Sequence, residues 1–383
     1  MNIIFVGLAG VPYGGRACDP RLSNIAKLLS SNGKVTIVNR YSSQRMNSLK
    51  GNEIPDVEIV EILKRRDTGR KVTLFFYLLS ILFEPFVLYR LHRKNRIDYL
   101  HMYTGHYVDF ILYRLFANLI KASVVYEYVE YRSSKGYHGL YHKVNNYLCD
   151  FHGAKLWDAC FAISNYLSNM AKTVNPSLPI MKITPLCDSD KFNENTLEID
   201  MDTPYIMFCG SAVYFEIIQL IIDSFKSSSI NRRKSLLLVL SGSKDDIQRV
   251  KRYYPECIIL NRLGYEQLIA YYKHAYALMI PIRESIEDIA RFPNKICEYL
   301  AAGGLIITTN KGESPYYFND GINAIVADEC TVESIKEKLD KLESGYYDLN
   351  KIRSNAYKTG LEHFSISAYK ESVINFLETC KRY

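Results

Sequence analysis

Residues 277–309 read ALMIPIRESIEDIARFPNKICEYLAAGGLIITT. An apolar run ends at Pro281 and a charged loop follows. A helix starts near Pro293, and Gly303-Gly304 stop it before a second apolar run at 305–310. Strand, crossover helix and strand in this order are the repeating unit of a parallel sheet.

The same alternation extends in both directions. Toward the N-terminus, short apolar runs at 2–8, 34–39, 57–62, 97–103, 123–130, 159–164 and 180–185 read as strands separated by helical stretches. A helix follows the first strand, with Asp19 as expected N-cap and Pro20 at the first helical position. Around the opening segment, runs at 205–210, 236–242, 257–263, 277–282, 305–310 and 323–327 continue the pattern, and the tail from Thr331 is helical in three segments. The polar stretch 188–204 lacks a core element, so a domain boundary is expected there, dividing 1–190 from 191–383. A length of 383 residues also favours two domains. The C-terminal helix is expected to pack back on the first domain.

Composition removes several classes. Hydrophobic residues are 48% and charged residues 23%, which fits a globular chain and not a disordered one. The nine cysteines are scattered without a C-x-x-C pair, against both a zinc ribbon and a secreted disulfide framework. The N-terminus opens as a strand with no basic leader, so a cytoplasmic chain is expected. Charge is uneven. Residues 1–190 hold 24 Lys and Arg against 15 Asp and Glu, and the rest holds 24 against 26. The first half is therefore the half that would meet an anionic membrane surface or a phosphorylated ligand. With no Arg-rich run or nucleic-acid module, no nucleic-acid partner is expected.

Residues 72–91, VTLFFYLLSILFEPFVLYRL, approach membrane-spanning length. Glu84, Pro85 and Arg90 interrupt the run. Lys64, Arg65, Arg66, Arg70 and Lys71 precede it, and Arg93, Lys94 and Arg96 follow. A buried or half-buried helix is the plainest reading. An interfacial helix with a cationic collar, docking at the inner face of the cell membrane, is the second, and a span the third.

Three groups of residues carry potential chemistry. Gly14, Gly15 and Arg16 follow the first strand, where a glycine turn feeding a helix brings backbone amides to a phosphate or sugar. It is neither a dinucleotide fingerprint nor a Walker loop. Lys295 and Glu298 share a helix face near a helix start, a place suited to a diphosphate and to ribose hydroxyls, although spacing alone favours an ordinary surface pair. Glu127, Glu130 and His106 fall at strand ends of the first half, where open sheets meet ligands. Glu130 or His106 would orient an acceptor hydroxyl, and His106 fits a hydrogen-bonded crevice histidine equally well. The string Asp188-Ser189-Asp190 reads as a turn.

The block PNKICEYLAAGG followed by LIITT resembles the donor-binding segment of family-4 glycosyltransferases, which have the GT-B fold. Gly14-Gly15, DACFAIS with ITPLCDSDKF, FCG at 208–210 and LGYEQLIAYYKHAYALMIP resemble further family segments in the same order, so the resemblance spans nearly the whole chain. It implies two doubly wound Rossmann-like domains facing each other across a cleft. The first would hold the acceptor through Gly14, Gly15, Arg16 and Glu127, and the second a nucleotide diphosphate-sugar. Transfer is expected with retention of configuration and no metal or cofactor. Glu298 matches the second Glu of the family's E-x7-E motif, whereas the first falls at Ala290, leaving Glu284, Glu287 or Asp288 as substitutes. The family's diphosphate-gripping Arg and Lys are missing after Gly210. Lys295, Arg291 and Arg262 are then the available cations, beside Ser211 and Asn294. The catalytic candidates are Glu298, Lys295, Arg291, Glu130 and His106. The expected role is surface polysaccharide or glycoconjugate synthesis on a saccharide or lipid-linked acceptor. A nucleotide-sugar epimerase of the same fold and a non-catalytic binding partner are the alternatives.

Overall fold

The computed structural model describes residues 1–12, 18–42, 54–64, 70–134, 136, 139–261 and 263–382. The chain divides into two compact units, Met1–Leu186 with Ile366–Tyr383, and Cys187–Ser365.

The first domain is built on seven strands: β1 (Asn2–Leu8), β2 (Lys34–Ser42), β3 (Val57–Lys64), β4 (Tyr99–Met102), β5 (Ser123–Tyr128), β6 (Ala159–Ala162) and β7 (Ile180–Lys182). All pair in parallel in the order β3-β2-β1-β4-β5-β6-β7. Ile3 sits between Val35 and Tyr99 in register, so the order reverses between β1 and β4. That reversal opens a ligand crevice at the strands' carboxyl ends. The core joins Ile3, Phe5, Leu22, Ile25, Ile37, Tyr99 and Phe161 with Val373 and Leu377 of the C-terminal helix Lys370–Thr379.

The second domain has six parallel strands: β8 (Tyr205–Ser211), β9 (Ser235–Ser241), β10 (Ile258–Leu260), β11 (Ala277–Met279), β12 (Ile306–Thr309) and β13 (Ile325–Ala327). They lie in the order β10-β9-β8-β11-β12-β13 and reverse between β8 and β11. Both sheets are doubly wound, and each expected apolar run contributes a strand.

Three local differences have clear causes. The polar stretch 188–204 contains the helix Ser189–Glu194, which buries Phe192 against Tyr265. Lys273 Nζ donates to the carbonyls of Phe192 (3.3 Å) and Asn195 (2.5 Å). These bonds tie the segment to the second domain, and Asp188-Ser189-Asp190 opens a helix instead of a turn. Secondly, Cys18 caps the first helix, so Asp19 is its first residue. Thirdly, the apolar run forms the expected helix, Arg70–Lys94, but Phe75, Leu82 and Phe86 on it are exposed, against the buried or half-buried reading.

Candidate functional site

In the second domain the site is assembled at the carboxyl ends of β8 and β11. Strand β8 finishes through Gly210 and Ser211, and the Ala212 amide donates to the Ser241 carbonyl at 2.7 Å. A Cβ on Gly210 would lie 2.6 Å from the Phe208 ring, so a larger residue here would have to push that ring aside. The turn leads into the helix Phe215–Ser227 with Val213 and Tyr214 exposed.

The loop after β11 supplies the guanidinium groups. Ser285 caps the short helix Ile286–Ala290, its side chain accepting from the Asp288 amide. Asp288 lies between two arginines, accepting from Arg283 Nε at 2.6 Å and from Arg291 Nη2 at 2.9 Å. Burial pushes its carboxyl up, but the arginines win and hold it below the usual carboxylate range. Arg291 also pairs with Glu287 at 3.0 Å and donates to the Tyr214 hydroxyl at 3.0 Å, while Arg283 reaches Glu216 at 3.1 Å. Arg291 and Arg283 thus reach from the β11 loop to Tyr214 and Glu216, at the start of the helix after β8. Ala290 is fully buried where the first motif Glu would fall. Two expected substitutes are already committed, Glu287 to Arg291 and Asp288 to both arginines. Glu284 projects outward, 3.5 Å from Lys311.

The helix Lys295–Ala301 completes the group. Lys295 Nζ donates to Glu298 Oε2 at 2.7 Å and stands 5.7 Å from the centre of the Tyr272 ring. Burial lowers the Lys295 ammonium, yet Glu298 outweighs it and raises Lys295 above its ordinary value, so it is charged at neutral pH. Glu298 is 4% exposed, so the two are not the ordinary surface pair that spacing alone favours. The Cys209 amide donates to the Tyr299 hydroxyl at 3.1 Å, pinning this helix to the end of β8. Gly303 at φ +67° ends the helix, and any Cβ on Gly304 would collide with Leu278 of β11. Asn294 precedes the helix and accepts from the Cys297 thiol at 2.9 Å through its carbonyl. Arg262 lies outside the described residues.

In the first domain, Gly14, Gly15 and Arg16 also fall outside the described residues. His106 and Glu130, both half-buried, follow β4 and β5 at the crevice end of the sheet. His106 Nδ1 is 3.2 Å from the Tyr141 hydroxyl, and its ring packs against Tyr77. Burial lowers its pKa, so it is neutral at pH 7. Glu127 does not reach the crevice. It is fully buried, accepting from Arg21 Nε at 2.6 Å and lying 3.0 Å from His101 Nε2. Arg21 donates onward to the carbonyls of Ile183 and Thr184. Glu127 therefore braces the sheet interior, and its expected acceptor role is corrected.

Residues 189–359 match the family model described as glycosyl transferases group 1. This match lies within the second domain and covers 171 of the 383 residues. No curated protein sequence matches the chain. Among solved structures, a glycosyltransferase from Rickettsia africae superposes with TM-score 0.71 at 17% identity, covering 99% of this chain and 98% of the other. HepE of Anabaena, solved with UDP and glucose, gives 0.71 at 13% identity over 99% and 100%. Sucrose-phosphate synthase of Thermosynechococcus elongatus gives 0.72 at 12% over 99% and 98%. These likenesses establish the GT-B fold.

Within the second domain, the sequence missed Arg283, Tyr214, Tyr272 and Tyr299. Their roles arise from pairings across separate elements, which no local spacing announces. In the first domain it missed Arg132, whose Nη2 donates to the Thr104 carbonyl at 2.8 Å beside the β4 end.

Proposed function

We propose that this glycosyltransferase moves a sugar from a nucleoside-diphosphate sugar, held by the second domain, to a saccharide or lipid-linked acceptor received at the first-domain crevice. The observation carrying this reading is the Lys295–Glu298 pair at the start of the helix after β11, inside the segment that matches the group 1 model. Glu298 presents a carboxylate to ribose hydroxyls. Lys295 has three donors and uses one on Glu298, leaving others for phosphate. As the glycosidic bond breaks, negative charge grows on the departing diphosphate, and Lys295 with Arg291 stabilises it. Arg291 would exchange part of its bonding to Glu287 and Asp288 for the phosphate. HepE, with the same fold, binds UDP and glucose, which makes a uridine donor the first to try.

On this reading, transfer retains anomeric configuration and needs no metal. His106 and Glu130 orient the acceptor hydroxyl, His106 as a neutral ring. The test is a nucleotide-sugar panel read by thermal stabilisation, since a bound donor raises stability by mass action. Donors that stabilise are then assayed for transfer with and without chelator, and the product anomer is assigned by NMR. A chain stabilised by no nucleotide sugar refutes the donor assignment. The internally neutralised Arg283–Asp288–Arg291–Glu287 cluster favours one second reading, a member that binds nucleotide sugar without transferring it. Stabilisation without turnover across an acceptor panel would select that reading.

A further inference from the structure

Among the described residues, 25 large hydrophobic side chains are exposed. Six, five and five of them stand on three helices of the first domain, Arg70–Lys94, Tyr107–Ile120 and Leu140–His152. Phe75, Leu82, Phe86, Leu115, Leu119 and Leu140 are each 60–79% exposed. The helices are neighbours. Tyr113 donates to Glu84 Oε1 at 2.7 Å, and His106 touches both Tyr77 and Tyr141. Soluble surfaces rarely leave so much apolar side chain in one region without a partner.

Charge on these helices is sorted by direction. The acidic residues Glu84, Asp109 and Asp150 are all buried. Among the described residues, the exposed charged ones are Arg90, Arg93, Lys94 and Lys143, followed by Arg96 and Lys121 just beyond two helix ends. An apolar face rimmed only by cations complements an anionic lipid bilayer.

The longest helix is apolar enough over Phe75–Lys94 to cross a membrane, with mean hydropathy 1.3. Its Glu84 argues for another placement. Glu84 Oε2 accepts from Arg40 Nε at 2.8 Å, and Arg40 also holds Asp109 through two bonds. Spanning would pull Glu84 away from its buried arginine and leave its carboxylate unpaired in apolar surroundings. The ion pair fixes the helix flat on its domain with the apolar side outward.

We propose that the first domain docks on anionic membranes through this three-helix face, the helices lying in the plane of the lipid–water interface. Docking rests on this surface alone. That the acceptor is consequently lipid-linked rests also on the transfer reading above.

The full chain is floated with vesicles of phosphatidylcholine alone and with phosphatidylglycerol added, at low and high salt. It should float with the anionic vesicles at low salt and lose affinity as salt rises. Arg93→Gln with Lys94→Gln should weaken vesicle affinity roughly tenfold to thirtyfold. Leu82→Glu with Leu119→Glu should abolish flotation while the nucleotide-sugar thermal shift stays at the parent value, since both side chains already face solvent. A parent chain that stays with the soluble fraction on anionic vesicles at low salt overturns docking. So does equal binding to neutral vesicles, which would remove the cations from the account. Sedimentation showing a dimer that Leu82→Glu and Leu119→Glu dissociate, in a chain that does not float, assigns the face to a second copy. Flotation without nucleotide-sugar binding would leave docking standing and sink the transfer reading alone.

Discussion

Lys295 and Glu298 form a pair of unequal exposure. The ammonium donates to the carboxylate at 2.7 Å, with the Glu298 side chain 6% exposed and that of Lys295 31%. An ordinary i,i+3 surface pair leaves both groups in water and contributes a few tenths of a kcal/mol. Here a buried anion holds an accessible cation beside the ends of β8 and β11. A phosphate can approach Lys295 without displacing it from Glu298.

Glu298→Gln tests the carboxylate with little change in shape. The amide oxygen still accepts from Lys295, so the fold should persist, with an unaltered circular dichroism spectrum. Losing a charged acceptor should cost on the order of 1.5–3 kcal/mol in donor binding or turnover, about tenfold to a hundredfold. Parental donor affinity together with parental turnover would remove Glu298 from the site.

Lys295→Met separates phosphate binding from ribose binding. Nucleoside diphosphates should lose affinity by a factor similar to that of Glu298→Gln, while the free nucleoside changes little. Calorimetry with both ligands decides this. Equal losses would mean that Lys295 serves mainly to hold Glu298.

The fold was legible because a parallel strand buried on both faces is written as a short continuous apolar run. Runs such as 2–8 and 205–210 need no knowledge of their partners to be found. The glycines were legible too, since Gly303-Gly304 mark a helix stop whatever lies around them. The site was only half legible. Lys295 and Glu298 are three residues apart, whereas Arg291 meets Tyr214 and Arg283 meets Glu216 across dozens of residues. Glu127 shows the opposite failure. Its strand-end position suggested a ligand, but the strand runs one residue past it, and its side chain turns inward to Arg21. The outward face of the 72–91 helix was likewise hidden, because a run apolar on every side does not reveal which side is covered.

Asp288→Asn should destabilise the second domain in a pH-dependent way. The folded Asp288 carboxyl titrates below its unfolded value, near 3.9, because Arg283 and Arg291 favour its ionised form over the cost of burial. Its contribution is therefore complete above that unfolded value and disappears as pH falls through the lower folded value. Melting temperatures of parent and variant should differ at pH 6–7, and the gap should begin to narrow below about pH 4. A gap independent of pH would assign the loss to shape instead of charge.

Ending the chain at Ser365 should destabilise the first domain, although the missing residues follow the second in sequence. Val373 and Leu377 lie in the first-domain core. The Tyr99 hydroxyl donates to the Leu377 carbonyl at 2.6 Å, and Ser123 Oγ donates to that of Cys380 at 2.9 Å. Losing the burial of these two aliphatic side chains costs about 3–6 kcal/mol at 1.5–3 each, against a typical domain stability of about 5–15. The shortened chain should aggregate or show an early unfolding transition while the second-domain transition keeps its temperature. Leu377→Ala asks the same question without truncation and should cost about 2–5 kcal/mol. Calorimetry resolves the two domains. If both variants kept the parental first-domain transition, the C-terminal helix would be an appendage, not part of that core.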